Sequence, residues 1–190
     1  VHIVREKYMR RIFRVMTGCD ANVPRDVVIA AMTWERVDEP VKAPIVSCRG
    51  DLIMATFRSD SEQLTSKMMR ITGMRGKAKP MKKSFSLPQD AVPWHTFNRS
   101  EILKFVDDVH DENPIHRTEQ AVVPGCLLLE ELAKRLNDAN DNQRLKRLDI
   151  RFHHPCFNDE PVYLADHGHR IEGYSAHKPL FTLRWTALAD

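Results

Sequence analysis

The stretch HRTEQAVVPGCLLLEELAKRLND, residues 116–138, carries the strongest signal for the fold. Pro124 suits the first turn of a helix, because its missing N–H would have no helical partner there. The leucines that follow form one broad apolar ridge at helical spacing: Leu127, Leu128, Leu129, Leu132 and Leu136. A helix that is apolar on most sides in its first turns is expected to be wrapped by another element.

The residues after this helix predict what wraps it. A period of two in RLKRLDIRFHH, residues 144–154, indicates a strand with one buried and one wet face. Three further runs have strand character, at residues 160–168, 169–175 and 179–188. One helix followed by four antiparallel strands predicts a sheet wrapped around that helix.

The first half of the chain predicts another helix and more strands. Apolar residues recur at helical spacing before Gly18: Val4, Tyr8, Ile12 and Val15. We expect this helix to pack on its own sheet, and a membrane-surface or partner helix is the alternative. Between Arg25 and Met74, short apolar or alternating runs are separated by turn-like residues and predict antiparallel strands. The whole pattern is typical of an α+β chain.

A further helix is predicted between these two halves. Asn98 is a suitable N-cap, and Glu101 follows at the spacing of a capping box. The helix should end by Glu112, because Asn113 precedes Pro114 and is pushed out of the helical region.

Composition narrows the classes of function. The 190 residues carry a formal net charge of +3, which is too mild to argue for nucleic acid. The basic N-terminus lacks the apolar run of a secretory signal, and no stretch is apolar enough to cross a bilayer. The four cysteines form no CxxC pair, so we expect a soluble protein in the reducing cytoplasm: Cys19, Cys48, Cys126 and Cys156. The histidines lack ligand spacing, and no metal is expected: His153, His154, His167, His169 and His177.

The segment DENPIH, residues 111–116, contains the clearest chemical constellation. It places a carboxylate, an amide and an imidazole close together in a loop between two helices, as Asp111, Asn113 and His116. Pro114 stiffens this loop, which allows Asp111 and His116 to face one small volume. Such a pair is suited to removing and delivering protons.

The start of the long helix supplies complementary groups. Backbone N–H groups at Val123, Gly125 and Cys126 would hold a developing oxyanion, because a helix N-terminus offers free donors and a favourable dipole. Gly125 would also let a ligand approach the backbone closely. Glu130 lies in the apolar part of this helix, where a carboxylate is costly unless it is paired or used. Pairing with Lys134 one turn later is the alternative to a catalytic role.

Two motifs resemble known families. DENPIH resembles the D-x-N-P-[ILV]-H core of the MaoC-like (R)-specific enoyl hydratases, whose Asp and His are the catalytic pair and whose Asn supports them. The run from His116 to Ala133 resembles the V-x-P-G-x-L-x-x-E-x-L-A pattern of the 3-hydroxyacyl-(acyl carrier protein) dehydratases, whose His and Glu are catalytic and come from opposite subunits of a dimer. Both families have the hot-dog fold, in which an antiparallel sheet wraps around a long helix.

The resemblance implies a hydro-lyase that interconverts (R)-3-hydroxyacyl and trans-2-enoyl thioesters. It assigns catalysis to Asp111, His116 and Glu130. Four residues become candidates for substrate binding: Asn113, Val123, Gly125 and Cys126. The acyl group would arrive on coenzyme A or acyl carrier protein, with no metal or redox cofactor and no nucleic-acid or membrane partner. The basic run at residues 75–83, RGKAKPMKK, is either a solvated loop or a lip for these acidic carriers.

The resemblance covers residues 94–190 and leaves the first half without a clear match. The chain is expected to divide into an N-terminal α+β half, residues 1–88, and a MaoC-like unit, residues 89–190. The first half would then be a degenerate hot-dog, which makes the chain a double hot-dog and a pseudo-dimer. If the first half is not a hot-dog, a homodimer is expected.

The sequence leaves two other functions open. Val109 and His110 replace the small residue and the glycine that precede the aspartate in the MaoC-like pattern. This departure supports a non-catalytic subunit that binds acyl thioesters or assists assembly. A hot-dog acyl thioesterase would use a carboxylate and the same helix-end oxyanion hole. An open pocket would favour an enzyme, and a pocket filled by side chains would favour the binding subunit.

Overall fold

The computed structural model describes residues 3–18, 23–24, 26–38, 44–70, 85–139 and 144–188. The basic run at 75–83 lies outside the described residues. In chain order the elements are α1 (Ile3–Thr17), β1 (Val27–Arg36), β2 (Ile45–Arg49), β3 (Leu52–Ser59), β4 (Glu62–Arg70), β5 (Val92–Thr96), α2 (Arg99–Asp108), a 3-10 helix (Pro114–His116), α3 (Gly125–Ala139), β6 (Leu145–Phe152), β7 (Pro161–Asp166), β8 (Arg170–Tyr174) and β9 (Pro179–Ala187).

The nine described strands form one antiparallel sheet in the order β2-β3-β4-β1-β6-β9-β8-β7-β5. Strand β1 joins the two halves of the chain, because it pairs with β4 on one side and β6 on the other. Trp34 lies opposite Leu64 in the first pairing and opposite Leu148 in the second. The halves therefore share one continuous sheet. The boundary near residue 88 and the double hot-dog stay predictions.

The strands predicted from alternation are confirmed. In β6, Leu148 and Ile150 are buried, whereas Arg147 and Arg151 are exposed. Strand β5, a short edge strand that pairs with β7, was not predicted from the sequence. It contains Pro93, which lacks the N–H of a ladder donor and is tolerated at a sheet edge.

Helix α1 ends where the pattern predicts and packs inside the fold. The N–H of Gly18 donates to the carbonyl of Arg14 at 2.8 Å. Ile12 and Phe13 have no exposed surface, and α1 contacts β3 and β4. This favours the packed helix over the membrane-surface alternative. No helix among the described residues combines the length and apolarity needed to cross a membrane.

Helices α2 and α3 follow their predicted signals. Asn98 caps α2, and its side chain accepts a hydrogen bond from the N–H of Glu101 at 2.9 Å. The Glu101 carboxylate itself lies 3.1 Å from Nε2 of His95. Helix α3 packs against β6, and its whole predicted leucine ridge is buried: Leu127, Leu128, Leu129, Leu132 and Leu136. The predicted helix packed on an antiparallel sheet is confirmed.

Candidate active site

His110 turns the chain from α2 into the loop that carries the candidate catalytic residues. Its φ of 57° lies in the left-handed region, which side chains with a Cβ rarely adopt. The N–H of Asp111 then donates to the carbonyl of Val106 at 2.8 Å and closes the end of α2. The MaoC-like pattern has glycine at this position, so His110 holds a backbone turn for which glycine is the usual residue.

Asn113 fixes the loop to the rest of the fold. Its Nδ2 donates to the carbonyl of Val27, the first residue of β1, at 3.0 Å. Its Oδ1 accepts from the N–H of Ile115 at 3.3 Å and starts the 3-10 helix. Its own N–H donates to Oδ1 of Asp111 at 2.9 Å. These contacts give Asn113 a supporting position, and substrate binding by this residue stays a prediction.

His116 is held in one orientation by the main chain. Its Nδ1 lies 2.7 Å from the carbonyl oxygen of Val122. Because a carbonyl only accepts, Nδ1 carries the proton, and Nε2 of the neutral ring has a free lone pair. Burial lowers the pKa of His116, although the charge of Asp111 and the hydrogen bond to Val122 oppose that effect. The site therefore holds a neutral imidazole whose Nε2 can accept a proton.

Asp111 and His116 meet as predicted. Nε2 of His116 lies 3.6 Å from Oδ2 of Asp111, which is too long for a direct hydrogen bond. A single oxygen atom can lie within about 2.8 Å of both atoms. The Asp111 side chain is 21% exposed and the His116 side chain 9%. The pair is thus arranged to bind one water or hydroxyl group between two acceptors.

The first turn of α3 lies next to this pair. Its hydrogen bonds show which of the three predicted N–H groups are free to donate to an oxyanion. The N–H of Val123 donates to the carbonyl of Cys156 at 2.8 Å, so it is already occupied. The N–H of Leu128 is the first to reach back within the helix, to Pro124 at 3.1 Å. The N–H groups of Gly125 and Cys126 come before it and have no intrahelical acceptor. The prediction for Val123 is therefore corrected, and Gly125 and Cys126 remain as candidate donors.

An aromatic ring fills the space beside Gly125. A Cβ added at Gly125 would lie 2.9 Å from Cζ of Phe152 and 3.4 Å from Cε of Met32. The sequence predicts that a ligand approaches Gly125 closely. On the Cα side of this glycine, the ring of Phe152 occupies that space instead. The N–H of Gly125 points along the helix axis, as donors at a helix N-terminus do.

Cys126 is a packed thiol at the start of α3. It is 4% exposed, and its Sγ lies 3.9 Å from Sδ of Met32. Burial raises its pKa well above the ordinary thiol value, and the charges of Asp111 and Glu130 add to the rise. Its side chain is therefore a neutral, unreactive group, and only its backbone N–H faces the helix end.

Glu130 is buried and tied into an ion pair. It is 2% exposed, and Arg10 of α1 binds both carboxylate oxygens, with Nε at 3.0 Å and Nη2 at 2.9 Å. Nζ of Lys134 lies 3.1 Å from Oε1 of Glu130, which is the pairing that the sequence offers as the alternative to a catalytic role. Within the described residues the carboxylate makes no hydrogen bond to Asp111 or His116. Its catalytic role stays a prediction that these contacts do not support.

Comparisons with known proteins decide the fold. No family model and no curated protein match this sequence. A MaoC-like dehydratase has a TM-score of 0.63 at 10% identity, over 95% of this chain and 83% of that chain. Peroxisomal multifunctional enzyme type 2 from Drosophila melanogaster has 0.58 at 14%, over 93% of this chain and 40% of that chain. An acyl-ACP thioesterase from Bacteroides thetaiotaomicron has 0.54 at 10%, over 85% and 76%. The chain has the hot-dog fold.

The hot-dog fold does not by itself determine the reaction, because the similar structures include two MaoC-like dehydratases and an acyl-ACP thioesterase. The chain also spans only 40% of the multifunctional enzyme's length. Any reaction of this chain therefore depends on the residues at the end of α2 and the start of α3.

The N-terminal helix α1 also holds the candidate active site in place, a contribution that the sequence did not predict. Arg10 bridges α2 and α3, because it also reaches Oδ2 of Asp108 at 2.8 Å. Nε of Arg14 donates to the carbonyl of Asp108 at 2.8 Å, and the hydroxyl of Thr17 donates to the carbonyl of Val109. These contacts hold the chain just before Asp111. The basic face of α1 was visible in the sequence, but nothing there identified its partners.

Proposed function

We propose that this chain is a hydratase/dehydratase that interconverts (R)-3-hydroxyacyl and trans-2-enoyl thioesters. The pair of His116 and Asp111 carries the proposal, because it offers a free imidazole lone pair and a carboxylate oxygen to one point. The shared fold with a MaoC-like dehydratase supports it.

The pair can perform both proton transfers of the reaction. In the hydration direction, Nε2 of His116 takes a proton from water while the water oxygen bonds to the β-carbon. The C=C electron pair moves towards the thioester oxygen. The imidazolium then returns a proton to the α-carbon, so that water is added overall. Asp111 accepts a hydrogen bond from the other O–H of the water, which stays on the oxygen as the new hydroxyl group, and stabilises the imidazolium.

The start of α3 can stabilise the charge that develops on the substrate. The thioester oxygen becomes negative as the enolate forms. The N–H groups of Gly125 and Cys126, at the positive end of the helix dipole, are suited to donate to that oxygen. The acyl group is proposed to be carried on coenzyme A or acyl carrier protein. The reaction needs only proton transfers, so no cofactor is invoked.

We also propose that the two halves form a double hot-dog. Helix α1 packs on β3 and β4, α3 packs on β6, and β1 and β6 join both sets of strands into one sheet. Pairing of the two units inside one chain predicts a monomer by light scattering. A dimer that persists on dilution would point to pairing between chains.

A hot-dog thioesterase is the second candidate, and the likeness to an acyl-ACP thioesterase favours it. In that reaction His116 and Asp111 would activate water towards the thioester carbonyl carbon. The product would be a free thiol and a carboxylic acid.

One experiment separates these functions. The purified chain is incubated with a short trans-2-enoyl thioester, first on coenzyme A and then on acyl carrier protein, and the products are identified by mass spectrometry. A 3-hydroxyacyl thioester supports the hydratase, whereas a free thiol supports the thioesterase. No product with either carrier would favour the non-catalytic binding subunit.

A further inference from the structure

A concave surface lies on the sheet face opposite α3. Ile150 and Leu183 point into the core, so alternation turns Asp149, Arg151 and Arg184 to the other side. Two adjoining cavities of about 470 and about 280 Å³ lie there across β1, β6, β9 and β8. Together they form one groove, and both are lined by three common residues: His153, Arg170 and Thr182.

Positive charge is concentrated in this groove. Arg184 of β9 lies directly opposite Arg170 of β8 in the strand register. Like charges opposite each other destabilise a sheet. Arg151 lies opposite Thr182, two residues from Arg184 along β9, a step of roughly 7 Å. Arg184 also lies opposite Asp149 of β6 on its other side. Three guanidinium groups and this carboxylate therefore line one surface.

Two acidic residues line the groove, and the first, Asp149, already accepts hydrogen bonds on both carboxylate oxygens. Oδ1 of Asp149 accepts from the hydroxyl of Thr33 at 2.6 Å, and Oδ2 accepts from Nε of Arg147 at 2.7 Å. Burial acts against ionisation, but these hydrogen bonds from Arg147 and Thr33 and nearby arginine charges lower the pKa of Asp149. Arg147 does not line the groove. The charge of Asp149 is thus balanced by Arg147 outside the groove and by Arg184, its neighbour on β9, within it.

The second acid is used within the groove. Glu172 binds Arg170 through one oxygen and the hydroxyl of Tyr174 through the other. Within the described part of the chain, Arg151 and Arg184 make neither an ion pair nor a side-chain hydrogen bond. These two guanidinium groups therefore have their donors available.

We propose that this groove binds a phosphoryl group through Arg151 and Arg184, with Arg170 adding charge. The planar fork of a guanidinium group matches two phosphate oxygens, and two such forks suit a diphosphate. The floor is polar, since Nε2 of His153 lies 2.9 Å from the hydroxyl of Thr182. A second copy of this face is a poor occupant, because two positive surfaces repel each other.

The site does not depend on the proposed reaction, because neither cavity is lined by Asp111 or His116. Its phosphoryl group has two natural sources. One is a small phosphorylated compound, and the other is the diphosphate of a coenzyme A thioester.

Titration calorimetry with inorganic pyrophosphate tests the proposal. We expect saturable binding to the unaltered chain that weakens about tenfold or more in Arg151→Gln/Arg184→Gln, because each lost charge-assisted bond is substantial. Arg49→Gln/Arg144→Gln removes the same charge from exposed positions elsewhere and should bind normally. Urea denaturation checks that both variants fold. Lack of binding by the unaltered chain, or equal binding by both double variants, would overturn the proposal.

Two further measurements sharpen the result. Arg151→Lys/Arg184→Lys keeps the charge but loses the forks, so it should bind several-fold more weakly; equal affinity would contradict recognition of a phosphoryl group in favour of a diffuse field. Competition by coenzyme A would identify the thioester carrier as the source, and lack of competition would identify a separate phosphorylated ligand. Failure of the proposed hydratase reaction would leave pyrophosphate binding intact.

Discussion

Nε2 of His116 faces Oδ2 of Asp111 at 3.6 Å, while the opposite ring nitrogen is occupied by a main-chain carbonyl. This arrangement fixes the tautomer of the imidazole without using the carboxylate. Asp111 is therefore free to share a water or hydroxyl group with His116. In a Ser-His-Asp triad the carboxylate is in direct contact with the imidazole and orients the ring.

Stability should fall in acid because His116 is buried as a neutral ring. Burial lowers its pKa below the ordinary 6.5. Between the folded and unfolded pKa values the unfolded chain binds more protons, so stability rises with pH. The contribution is fully present above pH 6.5 and is lost as the pH falls through the folded pKa. Urea denaturation at several pH values below 6.5 should show this loss.

His116→Gln provides the control for that titration. The variant removes the buried titrating group, so its free energy of unfolding should depend less on pH. His153, whose pKa burial also lowers, is present in both proteins and cancels in the comparison. Parallel pH curves for the two proteins would show that His116 is not buried in neutral form.

Glycine at position 110 should be accepted and a β-branched residue should not. The φ of 57° at His110 costs a non-glycine residue about 1 kcal/mol or more. His110→Gly relieves this strain but adds freedom to the unfolded chain, so we expect stability equal to or above that of the parent. His110→Val should lose roughly 1–2 kcal/mol, because a branched Cβ fits this region poorly. Urea denaturation of both variants tests this, and equal stability would contradict the left-handed turn.

Glycine should be required at position 125, because the ring of Phe152 fills the space that a Cβ would occupy. Gly125→Ala brings a Cβ to 2.9 Å from Cζ of that ring, and we expect a loss of about 1–3 kcal/mol from overpacking. In the background Phe152→Leu the same alanine should cost less, because the offending ring atoms are gone. A double-mutant cycle by urea denaturation measures this coupling. Additive effects would mean that the two residues are not in contact.

The ion pair of Arg10 and Glu130 should be a structural anchor. Arg10→Met leaves a buried carboxylate with Lys134 as its remaining cation, and we expect a loss of roughly 3 kcal/mol. Arg10→Met/Glu130→Met should recover most of it, because no charge is then left buried. Thermal or urea denaturation of the two variants tests the expectation, and equal losses would argue against it.

The same residue can be tested for catalysis with a neutral isostere. Glu130→Gln should keep the hydration rate within about tenfold if the carboxylate is an anchor, whereas removing a general acid or base costs roughly 10²–10⁴-fold. A loss of hydration rate of roughly 10²–10⁴-fold in a folded variant would support the catalytic role that the sequence predicts for Glu130.

Local patterns predicted most of the elements and the central pair. The capping position of Asn98, the ridge of α3 and the period of β6 depend on neighbours within a few residues, and all three appear in the structure. The DENPIH segment brought Asp111 and His116 together for the same reason. Its proline and asparagine shape the loop locally.

Long-range contacts could not be predicted in this way. The partner of Glu130 is Arg10, which lies 120 residues earlier in the chain, and no periodicity links them. The occupied N–H of Val123 and the ring over Gly125 depend on how β6 and the residues after it meet α3. Edge strand β5 was missed because Pro93 interrupts a short run that the sheet stabilises from outside.

The most direct test of the central claim is the hydration rate of a short enoyl thioester, on the carrier that the chain accepts, with His116→Gln. His154→Gln is the matched control, since that histidine is exposed and hydrogen-bonded to the carbonyl of Pro179. We predict formation of the 3-hydroxyacyl thioester, a loss of roughly 10²–10⁴-fold in His116→Gln, and a normal rate in His154→Gln. Hydration that persists unchanged in a folded His116→Gln variant would contradict the proposed site.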